Sequence, residues 1–550
     1  MKPTKCLLAV LALWTVTGTL SAQEPVPVLR SGVDPIALIL DGRPSPGGWW
    51  IMPEFDPDEL TMTAREAVFA SDVDTMRIVL DEWQSKDFDI LTAEGDTAHV
   101  RVSRTAANPF ESPSPRIKSV SPSGLLSREQ AAFDIQALVY ALSEVHPDLF
   151  SICRQEDFFH AVNTTTASLP DSVSPMELYR TAAPIVAMLG DGHTHLWFPY
   201  NSVFTADLKR MPLYVNVLTD RTLICKSSLD SLVPRGARVL GINGQSADRM
   251  IDAMLPFVSG ERPHFRLSRI NSDFTALHQM LFPADSYEVS FIPQGAKKPR
   301  TVTLPASLWE DIEKRCPRPS TSRHVADYSL HTDSAANFAV MDFRSFQNPE
   351  RMEAFADSMF RTLHRQGIEN LIIDLRNNGG GNSYVGDILL RYISPEPFTQ
   401  MEKIMMRITP LTAKLMGGGQ TPKFVFNEIS SEKYQQPRTA EEGHYRGRVY
   451  LLTSNKTFSS AGSFAWTFKE CGIGPVIGEE TGGMNVCYGD VLNYRLPVSG
   501  LSCSLSYKRF WQFRADENDI HGTIPDIAVP AAEAMDAAMK LIEKNNGKRK

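Results

Sequence analysis

The chain has 550 residues, 42% of them hydrophobic, and a net charge of −8 from 56 basic and 64 acidic side chains. That length and apolar content predict roughly two to four domains with buried cores. The mild acidic balance, spread without a block of one sign, excludes nucleic acid and anionic membrane surfaces as electrostatically recruited partners.

In chain order, residues 1–22 carry Lys2 and Lys5, then an apolar run over 6–16, then the small-residue site Leu20-Ser21-Ala22. This is the pattern of a secretory signal cleaved near Ala22, too short for a spanning helix. The mature protein is expected to be periplasmic or secreted, with no membrane span. Beyond the signal, Cys153, Cys225, Cys316, Cys471, Cys487 and Cys503 are scattered, with no C-x-x-C pair. That spacing argues against structural zinc and predicts no particular disulfide.

Residues 23–120 are rich in Pro, Gly, Asp and β-formers and predict a small β-containing accessory domain. The stretch NPFESPSPRIKSVSPSG (108–124) reads as a linker. A helical subdomain is expected over 121–200. Its first helix opens on a Ser127/Gln130 capping box and keeps Phe133, Ile135, Leu138, Val139, Leu142 and Val145 on one face. A second opens on Ser174-Pro175-Met176-Glu177 and stops at Gly190. Residues 210–303 turn strand-like, and VPRGARVLGINGQ holds an Asn-Gly tight turn between a strand and a helix. From 330 to 550, continuously apolar strands (FAVMDF, NLIIDL, RVYLLT, PVIGE) alternate with helices, which is α/β patterning with a parallel sheet.

Chemistry concentrates at four places. RVYLLTSNKTFSSAG delivers Ser459 and Ser460 from a strand to a helix start, where unpaired N–H groups stabilise an oxyanion. A serine there is ordinarily an N-cap. LGDGHTHL holds His193 and His195, either able to take a proton near neutral pH. DLRNNGGG (374–381) follows a strand and lets backbone N–H groups approach a substrate closely; no G-K-[ST] follows, so it is not a phosphate loop. RADENDIHGTIPD offers Glu517 and Asp519 as acids.

These motifs, in this order over residues 125–530, resemble the tail-specific, or C-terminal-processing, serine peptidases of family S41, and more closely their tricorn-core-like branch. The resemblance implies a multidomain α/β protein: the N-terminal β-containing domain, the helical subdomain carrying the catalytic histidine, a PDZ-like β domain over 210–303, and a ClpP/crotonase-like α/β catalytic core over 330–550. It implies Ser459 as nucleophile with Ser460 as competitor, and His193 as base with His195 as the alternative. Asp519 or Glu517 is the orienting acid, and Gly379 or Gly380 with Ser460 forms the oxyanion hole. The lysine of the tail-specific branch falls on Met484, which cannot accept a proton, and Gly192 stands where the tricorn-like branch has a serine. Asp374 and Arg376 are expected to form an ion pair that shapes the glycine loop. The expected function is hydrolysis of peptide bonds in peptides or unfolded proteins through an acyl-enzyme, with no metal or organic cofactor. The alternatives are a non-catalytic peptide- or ligand-binding protein of the same fold and a serine amidase or esterase of cell-wall substrates. The absence of G-x-S-x-G speaks against an α/β-hydrolase.

Overall fold

The computed structural model describes residues 124–317, 326–417 and 426–547. Before residue 124 it gives strands only, among them Ile36–Asp41, Gly47–Asp56, Thr61–Ser71 and Thr97–Arg104, paired in antiparallel sheets within the accessory region expected at 23–120; nearly all of the linker expected at 108–124 lies outside the described residues. The chain folds as two compact units that are discontinuous in sequence. The first takes residues up to Thr205 together with Met405–Ile429 and Tyr488–Arg509; the second takes Ala206–Ile404, Ser430–Cys487 and the chain from Phe510 on.

In the first unit, helix α1 (Arg128–Val145) opens with the full capping box: Gln130 N–H donates to Ser127 Oγ at 3.3 Å and Ser127 N–H to Gln130 Oε1 at 2.9 Å. Its predicted apolar face is buried except for a half-buried Phe133, and burial extends to Asp134 and Glu144. Asp134 is tolerated inside because its carboxylate accepts the N–H groups of Val498 and Ser499 at 2.9 and 2.7 Å. Helix α2 (Gln155–Ala167) follows, then α3 (Pro175–Ala187), whose Ser174 and Glu177 close a second capping box. Past Gly190, at φ +70°, the chain runs through the D-G-H-T loop into strand β1 (His195–Leu196), which pairs antiparallel with Ser502–Gln512.

The second unit opens with an antiparallel sheet of β2 (Leu213–Val217), β3 (Leu223–Ser228), β4 (Arg238–Ile242), β5 (Ser286–Ile292) and β6 (Arg300–Pro305), in that spatial order. Asn243 and Gly244 both take positive φ, 48° and 74°, which is the two-residue hairpin turn expected from Asn-Gly. Between β4 and β5 runs helix α4 (Pro263–Leu281), which packs on β2.

The same unit carries a six-stranded sheet ordered β7 (Tyr328–Asp333), β8 (Phe338–Phe343), β9 (Asn370–Asp374), β10 (Arg448–Thr453), β11 (Val476–Gly478) and β12 (Ile527–Ala528). Only β7 runs antiparallel to its neighbour. Along β9 and β10 alternate residues serve opposite faces. Leu371, Ile373, Val449 and Leu451 pack against helices α5 (Pro349–Gln366), α6 (Tyr384–Ile393) and α7 (Ser460–Glu470); Ile372, Tyr450 and Leu452 pack against α8 (Ala534–Gly547). Helices on both faces explain why these strands read as unbroken apolar runs. Among the described residues no helix is long and apolar enough to cross a membrane.

Candidate active site

In the second unit three loops leave the C-terminal ends of β9, β10 and β11. The β10 loop is stitched to the β9 loop before it reaches Ser459. Ser454 Oγ donates to Arg376 O at 2.6 Å, Thr457 Oγ1 to Leu375 O at 2.9 Å, and Phe458 N–H to Asn378 O at 3.2 Å. The β9 loop is itself braced by Asn378, fully buried, which donates to Phe343 O and accepts the Gly380 N–H, both at 2.9 Å. The expected Asp374–Arg376 pair is present, with Nη2 to Oδ2 at 2.6 Å, and Arg376 also donates to Ala531 O.

Ser459 is half-buried and sits at φ 54°, ψ −133°, a conformation costly for an L-residue. It occupies the N-cap position of α7, yet its side chain makes no capping hydrogen bond. The ordinary role of a serine at a helix start is therefore not the one filled here. Ser460 is buried and its Oγ donates to Gly381 O at 2.6 Å, which commits that hydroxyl to the loop. Among the described residues the N–H groups of Gly379 and Ser460 have no hydrogen-bond partner, whereas the Gly380 N–H is taken by Asn378. Gly380, at φ +99°, packs so closely that a Cβ there would lie 2.7 Å from Ser459 Cβ. The two free N–H groups thus flank the serine at the positive end of a helix, a site suited to an oxyanion.

The acids expected near the chain end also lie in this unit. Asp519 caps its own loop, accepting the His521 N–H at 2.9 Å; Glu517 is exposed and accepts Trp511 Nε1–H at 2.5 Å. Met484 contributes its carbonyl, which accepts from Gln512 Nε2 at 3.2 Å. An open cleft of about 930 Å³ runs along the strand ends, between Leu218 and Asn271 on one wall and Asn377, Lys456 and Val529 on the other. Ser459 is not among its lining residues.

His193 belongs to the first unit. Its side chain keeps 18% exposure, and its N–H donates to Asp191 Oδ1 at 2.8 Å while Nδ1 stands 3.9 Å from the same oxygen. Asp191 is wholly buried. Its Oδ2 accepts Ser506 Oγ–H at 2.6 Å and faces His146 Nε2 at 3.3 Å. His146 Nδ1 accepts the Asp148 N–H, so Nε2 carries the proton turned to Asp191. Burial alone would raise the Asp191 carboxyl. The hydrogen bond from His146, with His193 and the Ser506 hydroxyl, outweighs it and holds the group well below the usual carboxylate range. His195 instead pairs its backbone with Ser504 and sets its ring against Trp197, 4.5 Å between centroids. Sequence reasoning missed His146 and Ser506 as partners of Asp191. Nothing in EVHPDLF or SCSLSY singles these two residues out.

Residues 337–529 match the profile described as Peptidase family S41. The crystal structure of mature CPAF shares the fold at a TM-score of 0.55 and 14% identity, over 76% of this chain and 96% of that one. Mature CPAF complexed with lactacystin gives 0.53 at 15% identity, over 76% and 97%. The photosystem II D1 C-terminal processing protease aligns over 76% of this chain and 98% of its own at 15% identity, with a TM-score of 0.40. The likeness to CPAF is one of multidomain α/β fold.

Proposed function

We propose that this chain is an exported serine peptidase of the tricorn-core-like S41 branch, working through Ser459. The observation that carries the reading is the strained, uncapped Ser459 between two unpartnered N–H groups, Gly379 and Ser460. Ser459 Oγ attacks the peptide carbonyl carbon as His193 takes its proton, and the carbonyl oxygen, now anionic, is held by the two N–H groups. The C–N bond then breaks, the leaving amine takes the proton from His193, and water hydrolyses the acyl-enzyme by the same path. Gly379 is the better glycine donor, because the Gly380 N–H is already bonded. Asp519 or Glu517 supplies the acid of the set. Asp191 fixes the loop that bears His193 through the contacts described above. The antiparallel sheet with its edge strand β2 supports a PDZ-like part that takes an extended chain ending in a free carboxylate. Export follows from the signal at 1–22.

A fluorophosphonate probe tests the assignment. The wild type and Ser460→Ala are expected to label and to cleave peptide, while Ser459→Ala does neither and keeps its fold, with kcat down on the order of 10⁴–10⁶. An unlabelled wild type supports the binding-protein reading instead. Labelling that survives in Ser459→Ala and vanishes in Ser460→Ala overturns the choice of serine.

A further inference from the structure

Ser459 needs its surroundings to hold it. A residue at φ 54°, ψ −133° relaxes unless its neighbours over-determine it. The β9 loop supplies hydrogen bonds on one side, through Asn378 O and Gly381 O. The other side is closed from a distant part of the chain. The ring of Phe458, the residue just before the serine, stacks on Phe265 at 4.1 Å between centroids and 22° between planes. Phe265 is 3% exposed and stands in the first turn of α4, the helix that packs on β2.

The seat of that ring is built for it. A Cβ on Gly482 would come within 2.4 Å of the Phe265 ring, so the glycine leaves the space the ring fills. A Cβ on Gly483 would touch Phe458 at 3.5 Å, which places that glycine against the ring as well. The same loop is tied to the serine turn by Gly482 N–H donating to Thr457 O at 2.8 Å. The residues before Phe265 hold the start of α4 to this loop. His264 Nε2–H donates to Thr481 O at 3.1 Å, and the Arg262 guanidinium pairs with Glu480 at 3.5 Å.

We propose that Phe265 is a positioning residue for Ser459: its stack on Phe458 keeps the serine in the strained conformation that presents Oγ. This rests on the reading of Ser459 as the nucleophile. Loss of the stack lets Phe458 turn and Ser459 relax toward ordinary backbone angles, which carries Oγ away from the line of attack. The deficit belongs to kcat, because a short substrate touches Ser459 and the N–H groups without touching Phe265. A displacement of order 1 Å at a reacting atom lowers rates by roughly 10- to 100-fold.

The test uses the full chain with Phe265→Leu, which keeps an apolar side chain but no ring, and Phe265→Tyr, which restores the ring. Three quantities are read: the rate of labelling by a small fluorophosphonate, kcat and KM for a short activated ester, and the melting temperature. The expected result for Phe265→Leu is a parallel fall in labelling rate and kcat of roughly 10- to 100-fold. KM stays unchanged, the protein remains folded, and Phe265→Tyr recovers both rates. If Phe265→Leu fails to fold, Gly482→Ala, which drives the ring from its seat while leaving Phe265 in place, is expected to give the same signature. Wild-type labelling and kcat in a folded Phe265→Leu, or a loss that only tracks the unfolded fraction, overturns the proposal. A wild type that neither labels nor hydrolyses overturns the reading of Ser459, and this inference with it; an active wild type with an indifferent Phe265→Leu overturns this inference alone.

Discussion

Two adjacent glycines make opposite predictions. At Gly380, φ is +99°, and a Cβ would meet Ser459 Cβ at 2.7 Å, Phe458 O at 2.8 Å and Ser460 N at 2.9 Å. Two of those three atoms are backbone, so no side-chain rotation makes room. Gly380→Ala therefore adds a conformational cost of about 1–3 kcal/mol to an overpacking cost of about 1–3 kcal/mol. At Gly379 nothing lies within 4 Å of the added Cβ and φ is not in the left-handed range, so alanine fits. Gly379→Ala is expected to be neutral or to stabilise by about 0.4–1 kcal/mol through the unfolded chain. The assay is a thermal melt paired with fluorophosphonate labelling. Gly380→Ala should lower Tm by roughly 5 to 20 °C and abolish labelling even at temperatures where it is folded. Gly379→Ala should keep both, since its N–H survives the substitution. A Gly380→Ala protein with wild-type Tm and labelling would refute the claim that this loop presses on the serine, and equal damage from both variants would refute the distinction between them.

Three further outcomes follow from the same geometry. The peptidase rate should rise with pH on an acid limb that vanishes in His193→Ala; an unaltered profile in that variant transfers the base role to His195. A peptide with a free C-terminus should be cleaved with a lower KM than the same peptide amidated, and equal kcat/KM for the two removes carboxylate capture from the sheet of β2 to β6. His278 is buried with neither ring nitrogen hydrogen-bonded, and burial pushes its pKa down to about 4. The unfolded chain binds its proton below about pH 6.5 and the folded chain only below about 4, so stability falls by about 3 kcal/mol as pH drops across that window. Denaturation midpoints measured from pH 7.5 to 4 should show that slope in the wild type and lose it in His278→Leu; the same slope in both would exonerate His278.

What could be read from the sequence was local. The capping boxes at Ser127 and Ser174, the Asn243-Gly244 turn and the apolar runs at 371–373 and 449–452 each depend on residues within a few positions of one another. The candidate serine was legible through its strand–turn–helix setting. Its backbone strain was not, because that is imposed by loops 80 positions upstream and 20 downstream. The closure on Phe458 by Phe265 joins residues nearly 200 apart, and Asp191 meets Ser506 across 315 positions. No periodicity encodes such meetings. The two glycines at 379 and 380 look alike in sequence, and only the packing gives one an occupied N–H and the other a free one. The discontinuous units were likewise invisible, since Met405–Ile429 and Tyr488–Arg509 carry no compositional boundary.

The serine turn persists without a lysine beside it because of how the sheet delivers its loops. Strands β9, β10 and β11 run parallel in register, with Asp374 beside Leu452 and Thr453 beside Gly478, so their three loops emerge side by side at one end. That end is where open α/β sheets hold ligands. The loops are tied by main-chain bonds: Leu375 N–H to Leu452 O at 2.9 Å, Glu479 N–H to Thr453 O at 3.2 Å, Gly482 N–H to Thr457 O at 2.8 Å. At Gly478 a Cβ would stand 2.1 Å from Thr453 O, so the strands cross too closely for any side chain. None of these contacts uses the side chain at 484, where the tail-specific peptidases carry their base. Met484 offers its carbonyl, which accepts from Gln512 Nε2. A methionine in place of lysine at 484 removes a proton acceptor without removing any of these main-chain bonds.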